Sequence, residues 1–259
     1  IKSALTDYNI VAISPEVVDP DLISLIFSLT VKYDSRLTTK ASGVIAASVI
    51  DTIQTYKTNN LNKFSSIFRY SVLSKNIDVT DTSVLGNLLT LTAKKGLTPS
   101  LTANNSYTIS FNNAIYNPST TYEGAVSTSA FAYTDSTGTT YSTSYLDDLN
   151  GVMRIYYYSG SDKLIIANNA GTVAYGNGHI TLTSFKPDSF AGSTLDFTIQ
   201  PATNDLIPVR NQIFTIANTD ITVTMQDDSD TGTTTTSASA TGSSDSITTG
   251  TATGSSTVY

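Results

Sequence analysis

The chain has 259 residues, no cysteine, one histidine and a net charge of −7, from 14 Lys and Arg residues against 21 Asp and Glu residues. The lack of cysteine excludes a disulfide framework and a thiolate metal site, and a single histidine excludes a multi-histidine zinc site. The acidic balance, the scattered basic residues and the absence of a long apolar run argue against a nucleic-acid partner and against a membrane.

Two features of the composition bear on the origin of the chain. It begins with Ile1 and not with a methionine, which indicates a segment of a longer protein. Charged residues make up only 14% of the chain, and Ser and Thr replace them as solvating groups. Hydroxyl side chains suit β-rich surfaces and permanent assemblies, and the missing cysteine favours assembly in a reducing cytoplasm.

The first zone, residues 1–98, is predicted to contain both strands and helices. Alternating apolar residues predict strands, and apolar residues at helical spacing predict helices. In chain order these elements are strands at Tyr8 to Val18 and Leu22 to Tyr33, helices at Lys40 to Lys57 and Tyr70 to Asp78, and a strand at Val84 to Ala93. This order predicts an α+β fold class, with a β-β-α-α-β two-layer domain whose helices cover one face of a small antiparallel sheet.

The second zone, residues 99–228, has short apolar or alternating runs separated by turn signals. The runs are Tyr107 to Phe111, Val126 to Tyr133, Val152 to Tyr158, Leu164 to Ala167, Thr172 to Tyr175, Ile180 to Phe185, Leu195 to Ile199, Gln212 to Ile216 and Ile221 to Met225. Gly176-Asn177-Gly178 is the clearest hairpin signal. Such spacing predicts an antiparallel β-rich domain, built as a sandwich or a barrel.

The third zone, residues 229–259, is a low-complexity tail of Ser, Thr, Gly, Ala and Asp. It contains too few apolar residues to offset the entropy lost on ordering. We therefore expect an extended tail that is ordered only against a neighbour. Val258 and Tyr259 are its candidate anchors.

The residues that catalysis requires are mostly missing. His179 directly follows the predicted hairpin turn, where a structural role is expected, and no nucleophile elbow is present. Asp230 opens a triplet of aspartic-protease form, but it lies in the tail with no apolar strand after it. Glu123, Asp147 and Asp148 could supply paired carboxylates for glycoside hydrolysis, although Asp147 and Asp148 are predicted to lie in a loop. We therefore expect no enzymatic activity, no cofactor and no metal site.

Three consecutive tyrosines, Tyr156, Tyr157 and Tyr158, are the most unusual local feature. In a strand their rings fall on both faces of the sheet. One interpretation places one ring in the core and two on the surface. A second is an interface hot spot, because tyrosine combines a large contact area with a polar tip. A third is an aromatic platform on which a sugar could stack.

A set of short motifs, taken in order, resembles a known family. The motifs are Val18-Asp19-Pro20-Asp21, Thr30-Val31-Lys32-Tyr33-Asp34, Leu37-Thr38-Thr39, Phe68-Arg69-Tyr70-Ser71-Val72-Leu73, Ile77-Asp78, Gly171-Thr172-Val173-Ala174-Tyr175 and Val209-Arg210-Asn211-Gln212-Ile213. Over about residues 5 to 228 the chain resembles the C-terminal part of the baseplate wedge proteins of T-even-like contractile-tailed phages, in the baseplate J-like family. The tail lies outside the resemblance.

The resemblance implies a structural protein of the virion, located in the tail baseplate and assembled in the host cytoplasm. Wedge proteins of this kind pair as homodimers within a wedge, join neighbouring wedges into a ring around the tail hub and rearrange when the sheath contracts. The implied partners are a second copy of the chain and other wedge proteins. The candidate interface residues are Tyr156, Tyr157, Tyr158, Val258 and Tyr259.

Two other functions compete with the baseplate interpretation. A β-rich glycan-binding adhesin or tail-fibre segment would explain the second zone and the Ser and Thr content, but it does not explain the helices of the first zone. A glycoside hydrolase is more distant, because it would depend on the weakly supported carboxylates Asp147 and Asp148.

Overall fold

The computed structural model describes residues 19–229 and 237–241 of the chain. Among these residues the chain forms fourteen β-strands and two α-helices. The helices are α1 (Ser42–Asn60) and α2 (Tyr70–Asp78). The strands are β1 (Asp21–Tyr33), β2 (Val84–Leu97), β3 (Asn105–Ser110), β4 (Glu123–Thr128), β5 (Phe131–Thr134), β6 (Thr140–Leu149), β7 (Val152–Ser159), β8 (Asp162–Ala174), β9 (His179–Phe185), β10 (Ser189–Phe190), β11 (Leu195–Ile199), β12 (Gln212–Thr215), β13 (Ile221–Asp227) and β14 (Ser237–Thr241).

Strand β1 shows the strict alternation that a sheet covered on one side requires. Its buried residues are Ile23, Leu25, Phe27, Leu29, Val31 and Tyr33. The residues between them are half-buried or exposed and polar at most positions. Because successive side chains of a strand point to opposite faces, β1 contributes one continuous apolar row to the core.

The sheet has mixed pairing and runs through most of the described chain. Its strand order is β14-β13-β1-β2-β11-β4-β6-β7-β8-β9-β3. β2 pairs with β1 in the antiparallel sense, whereas β12 and β13 both pair with β1 in the parallel sense. The short strands β5 and β10 pair with each other, and β5 also pairs with β6.

Both helices place an apolar stripe against this sheet. In α1 the buried residues Ile45, Val49 and Ile53 recur every four residues, and in α2 Leu73 and Ile77 do the same. α1 packs against β13 and β14, and α2 packs against β2. Neither described helix combines the length and the apolar character that a bilayer span requires.

The predicted fold class was wrong. The described chain is mostly β, with one large mixed sheet and only two helices, and not a two-layer α+β domain followed by an antiparallel sandwich or barrel. The reason is long-range pairing: β11, β12 and β13 belong to the second zone but pair with β2 and β1 of the first. Residue periodicity reports local conformation and carries no information on which strands become neighbours.

Most of the local elements were predicted correctly. The second helix matches α2 at both ends, the first is shifted by two or three residues relative to α1, and the strands at Leu22 and Val84 are β1 and β2. The hairpin turn at Gly176-Asn177-Gly178 is confirmed, because β8 ends at Ala174 and β9 begins at His179. The predicted strand at Tyr8 to Val18 lies outside the described residues.

The second zone contained two surprises. Strand β6 was missed entirely, and the two runs around Ala167 and Thr172 are parts of one long strand, β8.

In the tail, Ser237–Thr241 forms β14, which pairs antiparallel with β13. The proposed boundaries at residues 98 and 228 stay predictions.

The packing of β1 against the segment between the two helices leads to a first prediction. Phe27 is fully buried, and its ring lies 5.6 Å from the ring of Phe68. Replacing Phe27 with Ala should lower the free energy of unfolding by about 3–5 kcal/mol, because the truncation leaves a cavity in the core. Phe64→Ala is the matched control: Phe64 is 55% exposed, and its loss should change stability by about 0.5 kcal/mol or less. Urea denaturation of both variants measures the difference, and similar values would contradict this account of the core.

The close approach of β8 and β9 at Gly171 leads to a second prediction. A Cβ atom at Gly171 of β8 would overlap the carbonyl oxygen of Thr181 on β9. Backbone cannot move aside cheaply, so Gly171→Ala should destabilise the fold by about 2 kcal/mol or more. A Cβ atom at Gly86 would have no heavy atom within 4 Å, so Gly86→Ala is the control and should be nearly neutral. Thermal unfolding of the two variants tests this, and equal midpoints would show that β8 and β9 are not this close.

Candidate interface site

Two tyrosines of the predicted triplet, Tyr156 and Tyr158, gather with a third tyrosine ring from the neighbouring strand. Tyr145 of β6 is the cross-strand partner of Tyr156 of β7. Their rings stack with centroids 5.5 Å apart and an interplanar angle of 27°. Tyr158 meets both rings edge-on, at 5.6 Å from Tyr156 and 6.1 Å from Tyr145. We call Tyr145, Tyr156 and Tyr158 the tyrosine cluster.

Tyr157 does not belong to the tyrosine cluster. Successive side chains alternate between faces, and the ring of Tyr157 instead lies 4.7 Å from the ring of Tyr141. Tyr158 is 54% exposed, whereas Tyr145, Tyr156 and Tyr157 are half-buried. Tyr158 is therefore the member of the triplet that a partner could cover most completely.

Four charged side chains form a network beside the tyrosine cluster. Arg154 of β7 donates from Nε and Nη2 to the two carboxylate oxygens of Asp147, at 3.1 and 2.5 Å, and its Nη2 lies 2.6 Å from Glu123. Lys163 of β8 donates to both carboxylates. The Asp147 side chain is 3% exposed and that of Arg154 is 11% exposed. We call Glu123, Asp147, Arg154 and Lys163 the charge network.

Lys163 joins the charge network to the tyrosine cluster. Its Nζ lies 4.2 Å from the centroid of the Tyr156 ring, within cation–π distance. Burial raises the pKa of Tyr156 to about 12, and the neighbouring Tyr158 and Asp147 add to the effect. The two carboxylates raise the pKa of Lys163 although burial opposes them. The Tyr156 ring is thus held neutral beside a fixed cation.

Asp148 forms a second buried polar group on the opposite face of β6. It accepts hydrogen bonds from the Val126 N–H at 2.7 Å and from the Tyr175 hydroxyl. Tyr175 in turn accepts from the Gly151 N–H at 2.7 Å. Burial raises the pKa of Asp148, although both hydrogen bonds oppose this. These bonds tie β4, β6 and the β6–β7 turn together behind the tyrosine cluster.

The structure corrects one expectation about this region. Asp147 and Asp148 do not lie in a loop but in β6, where both are buried. Sequence reasoning missed β6 because its polar residues hide the alternation, although its Thr and Tyr content was a usable strand signal. It also missed Tyr145, Arg154 and Lys163. Val258 and Tyr259, the other candidate interface residues, lie outside the described residues.

The other residues considered for catalysis or metal binding make contacts of a structural kind. His179 Nε2 lies 3.1 Å from Asn112 Oδ1. Glu123 and Asp147 share the same two cations and are therefore not poised as an acid and a base. In the part of the chain that the structure describes, no group of three or more His, Cys, Asp or Glu side chains is arranged to hold a metal ion. Asp230 lies outside that part.

Comparison with known proteins identifies a related segment. Residues 23–95 match the family described as baseplate structural protein gp6, C-terminal domain III. The baseplate wedge protein gp6 of Enterobacteria phage T4 is 30% identical over 91 residues, which are 35% of this chain and 14% of that protein. Over this segment the chain is similar to the baseplate wedge proteins.

The matched segment and the candidate site are different parts of the molecule. Residues 23–95 cover nearly all of β1 and β2 and both helices. The tyrosine cluster and the charge network lie on β4, β6, β7 and β8, outside the match. The resemblance predicted from sequence is confirmed for the segment, and its extension to residue 228 stays a prediction.

The charge network makes a prediction about acid stability. Lys163, followed by Arg154, lowers the pKa of Glu123 from 4.5 to about 2, although partial burial opposes this. The resulting stabilisation is fully present above the unfolded-state pKa and disappears as pH falls from about 4.5 to about 2. Glu123→Gln should therefore lower the unfolding midpoint at neutral pH but match the unmodified protein near pH 2. Because Glu123 is partly exposed, the effect should be modest.

Thermal unfolding across this pH range measures the Glu123 effect. Asp51→Asn is the control, because Asp51 is an exposed carboxylate on α1. Its effect on the unfolding midpoint at neutral pH should be smaller than that of Glu123→Gln. A Glu123→Gln effect that is the same at neutral pH and near pH 2 would show that the ion pairs contribute nothing to stability.

Proposed function

We propose that this chain is a structural subunit of a phage baseplate wedge and that it acts through protein contacts without catalysing a reaction. It pairs with a second copy of itself within a wedge and contacts other wedge proteins. Copies from neighbouring wedges form a ring around the tail hub that rearranges when the sheath contracts. Assembly takes place in the host cytoplasm. The support is the relationship of residues 23–95 to the C-terminal domain of a baseplate wedge protein.

The tyrosine cluster is the observation that supports a contact surface on this chain. Exposed aromatic rings held in one geometry contribute strongly to interfaces because little side-chain entropy is lost when a partner covers them. Tyr158 is 54% exposed, and its ring is braced by Tyr145 and Tyr156. The charge network below fixes the strands that carry these rings. We therefore assign the tyrosine cluster to a protein interface.

The geometry of the cluster disfavours the adhesin alternative. A sugar stacks on an open ring face, but the Tyr156 ring is stacked on Tyr145 and has Lys163 over it. Only Tyr158 offers substantial exposed ring surface. Nothing in the described chain favours glycan binding over a protein contact at this surface.

Self-association tests the proposal directly. Light scattering of the chain over a concentration series should show a dimer or larger species at concentrations on the order of 10 μM. This concentration corresponds to a protein–protein contact of moderate affinity. Tyr158→Ala should weaken this association roughly tenfold or more, as expected for a central aromatic anchor.

Tyr116→Ala is the matched control for this experiment. Tyr116 is 39% exposed and meets one other ring, that of Tyr122, outside the tyrosine cluster. It should leave the association unchanged. A chain that remains strictly monomeric, or a Tyr158→Ala variant that associates as the unmodified protein does, would argue against this contact.

A further inference from the structure

The outermost strand beside β13 comes from the Ser- and Thr-rich tail. β14 pairs antiparallel with β13 over five residue pairs, from Thr222 with Thr241 to Gln226 with Ser237. Along its other edge β13 pairs with β1. Both edges of β13 are therefore occupied, and one of them is occupied by the tail.

β13 has the residue pattern of a strand that accepts a further strand. From Ile221 to Gln226 it contains no proline, no glycine and no charged residue. Its register with β1 runs over seven residue pairs without a bulge. Proteins usually protect an edge strand from foreign strands with charges, prolines or bulges. In β13 the edge is instead covered by β14.

β14 is suited to pairing through its backbone. Its sequence is Ser-Ala-Ser-Ala-Thr, without a large apolar residue. Side chains of this size can bury only a small apolar area. When a strand is added to a sheet edge, the main-chain hydrogen bonds provide the affinity. The edge of β13 therefore selects an extended segment and requires no large side chains from it.

The connection between the two strands is longer than a hairpin needs. β13 ends at Asp227 and β14 begins at Ser237, so nine residues, 228 to 236, lie between them. Hairpin loops usually contain about two to five residues. Nine extended residues span up to about 30 Å, whereas neighbouring strands are about 5 Å apart. This connection is long enough to carry β14 to the same edge of an adjacent copy.

Helix α1 limits what can take the place of β14. α1 packs against both β13 and β14, so it lies over the boundary between them. If β13 paired antiparallel with β13 of a second copy, the two-fold axis would pass through this boundary and the two α1 helices would overlap. A tail strand that is joined to its copy by the nine-residue connection avoids this overlap. The occupant that fits is therefore β14 of a second copy.

We propose that β14 of one copy can leave β13 of its own chain and pair with β13 of a second copy. The pairing of β14 with β13 is identical in the two arrangements, so the exchange sacrifices no interaction at this edge. Its extent depends on the concentration of neighbouring copies relative to that of the tethered tail, and it rises where copies are held side by side. The inference rests on the proposed pairing of copies and adds a surface separate from the tyrosine cluster.

Cysteine trapping in the full chain tests the exchange, since the chain has no cysteine of its own. Thr224 and Ser239 are cross-strand partners, and antiparallel partners lie within reach of a disulfide. Thr224→Cys chains mixed with Ser239→Cys chains should form a mixed disulfide on mild oxidation. Its yield should rise with protein concentration up to about 1 mM, the order of the effective concentration of a tethered segment.

The matched control is a mixture of Gln226→Cys chains and Thr241→Cys chains. Thr241 lies four residues beyond Ser237, the cross-strand partner of Gln226. The exchanged strand therefore keeps these two positions too far apart for a disulfide. The control measures crosslinking by random encounter.

Opening the edge of β13 should increase the exchange. Ala238→Pro together with Ser239→Pro removes the N–H groups of two successive residues, one of which faces β13 in an antiparallel pair. A Thr224→Cys chain with both prolines should give roughly fivefold or more mixed disulfide with Ser239→Cys chains, because its own tail no longer competes. Ser243→Pro with Ser244→Pro makes the same change beyond β14 and should leave the yield unchanged. If the proline chain does not fold, the mixture without prolines decides.

The Tyr158→Ala background separates this inference from the proposed function. The exchange uses a different surface, so the mixed disulfide should still exceed its control when every chain carries Tyr158→Ala. A yield no higher than the control at every concentration overturns the exchange and leaves the tyrosine contact to its own test. A yield above the control that rises with concentration supports the exchange.

Discussion

Strand β1 is hydrogen-bonded along both edges, and the rest of the fold depends on this. β2 pairs with one edge, and β12 and β13 share the other in the parallel sense. At the point where β12 gives way to β13, Ser24 and Lys94 both donate to Asp220, at 2.7 and 2.8 Å. Since α1 packs against β13, the helices and strands of the segment related to baseplate wedge proteins are completed by a strand from outside that segment.

The same sheet carries the candidate interface far from β1 in strand order. There Asp147 and Arg154 are buried as an ion pair, and Asp147 and the partly exposed Glu123 share the two cations Arg154 and Lys163. Buried charges are tolerated only when they are paired and hydrogen-bonded, so this network holds four adjacent strands in one arrangement. A rigid support of this kind suits an assembly surface, whose aromatic rings must be in place before the partner arrives.

The extent to which the sequence predicts this protein differs between its two zones. Helix α2 and strand β11 follow from their residue patterns to the residue, and the hairpin turn follows from its glycines. Strand β6 does not, because its Thr, Ser and Asp residues resemble a loop when read alone. Its two carboxylates are buried only because Arg154, Lys163 and Tyr175 are brought to them by β7 and β8. The tyrosine triplet was conspicuous in the sequence, but the third ring of the cluster, Tyr145, was not.

By itself the sequence determined the local conformation of most segments, the lack of the usual catalytic sets and the resemblance of the helical zone to baseplate wedge proteins. These properties depend on residue type and spacing along the chain, which the sequence states directly. Only the tertiary structure decided that the first and second zones share one sheet, that Tyr145 joins Tyr156 and Tyr158 in one cluster and that a charge network supports them. Such features arise from pairing between residues distant in sequence, and the free energy of that pairing depends on burial and neighbours that no local pattern contains.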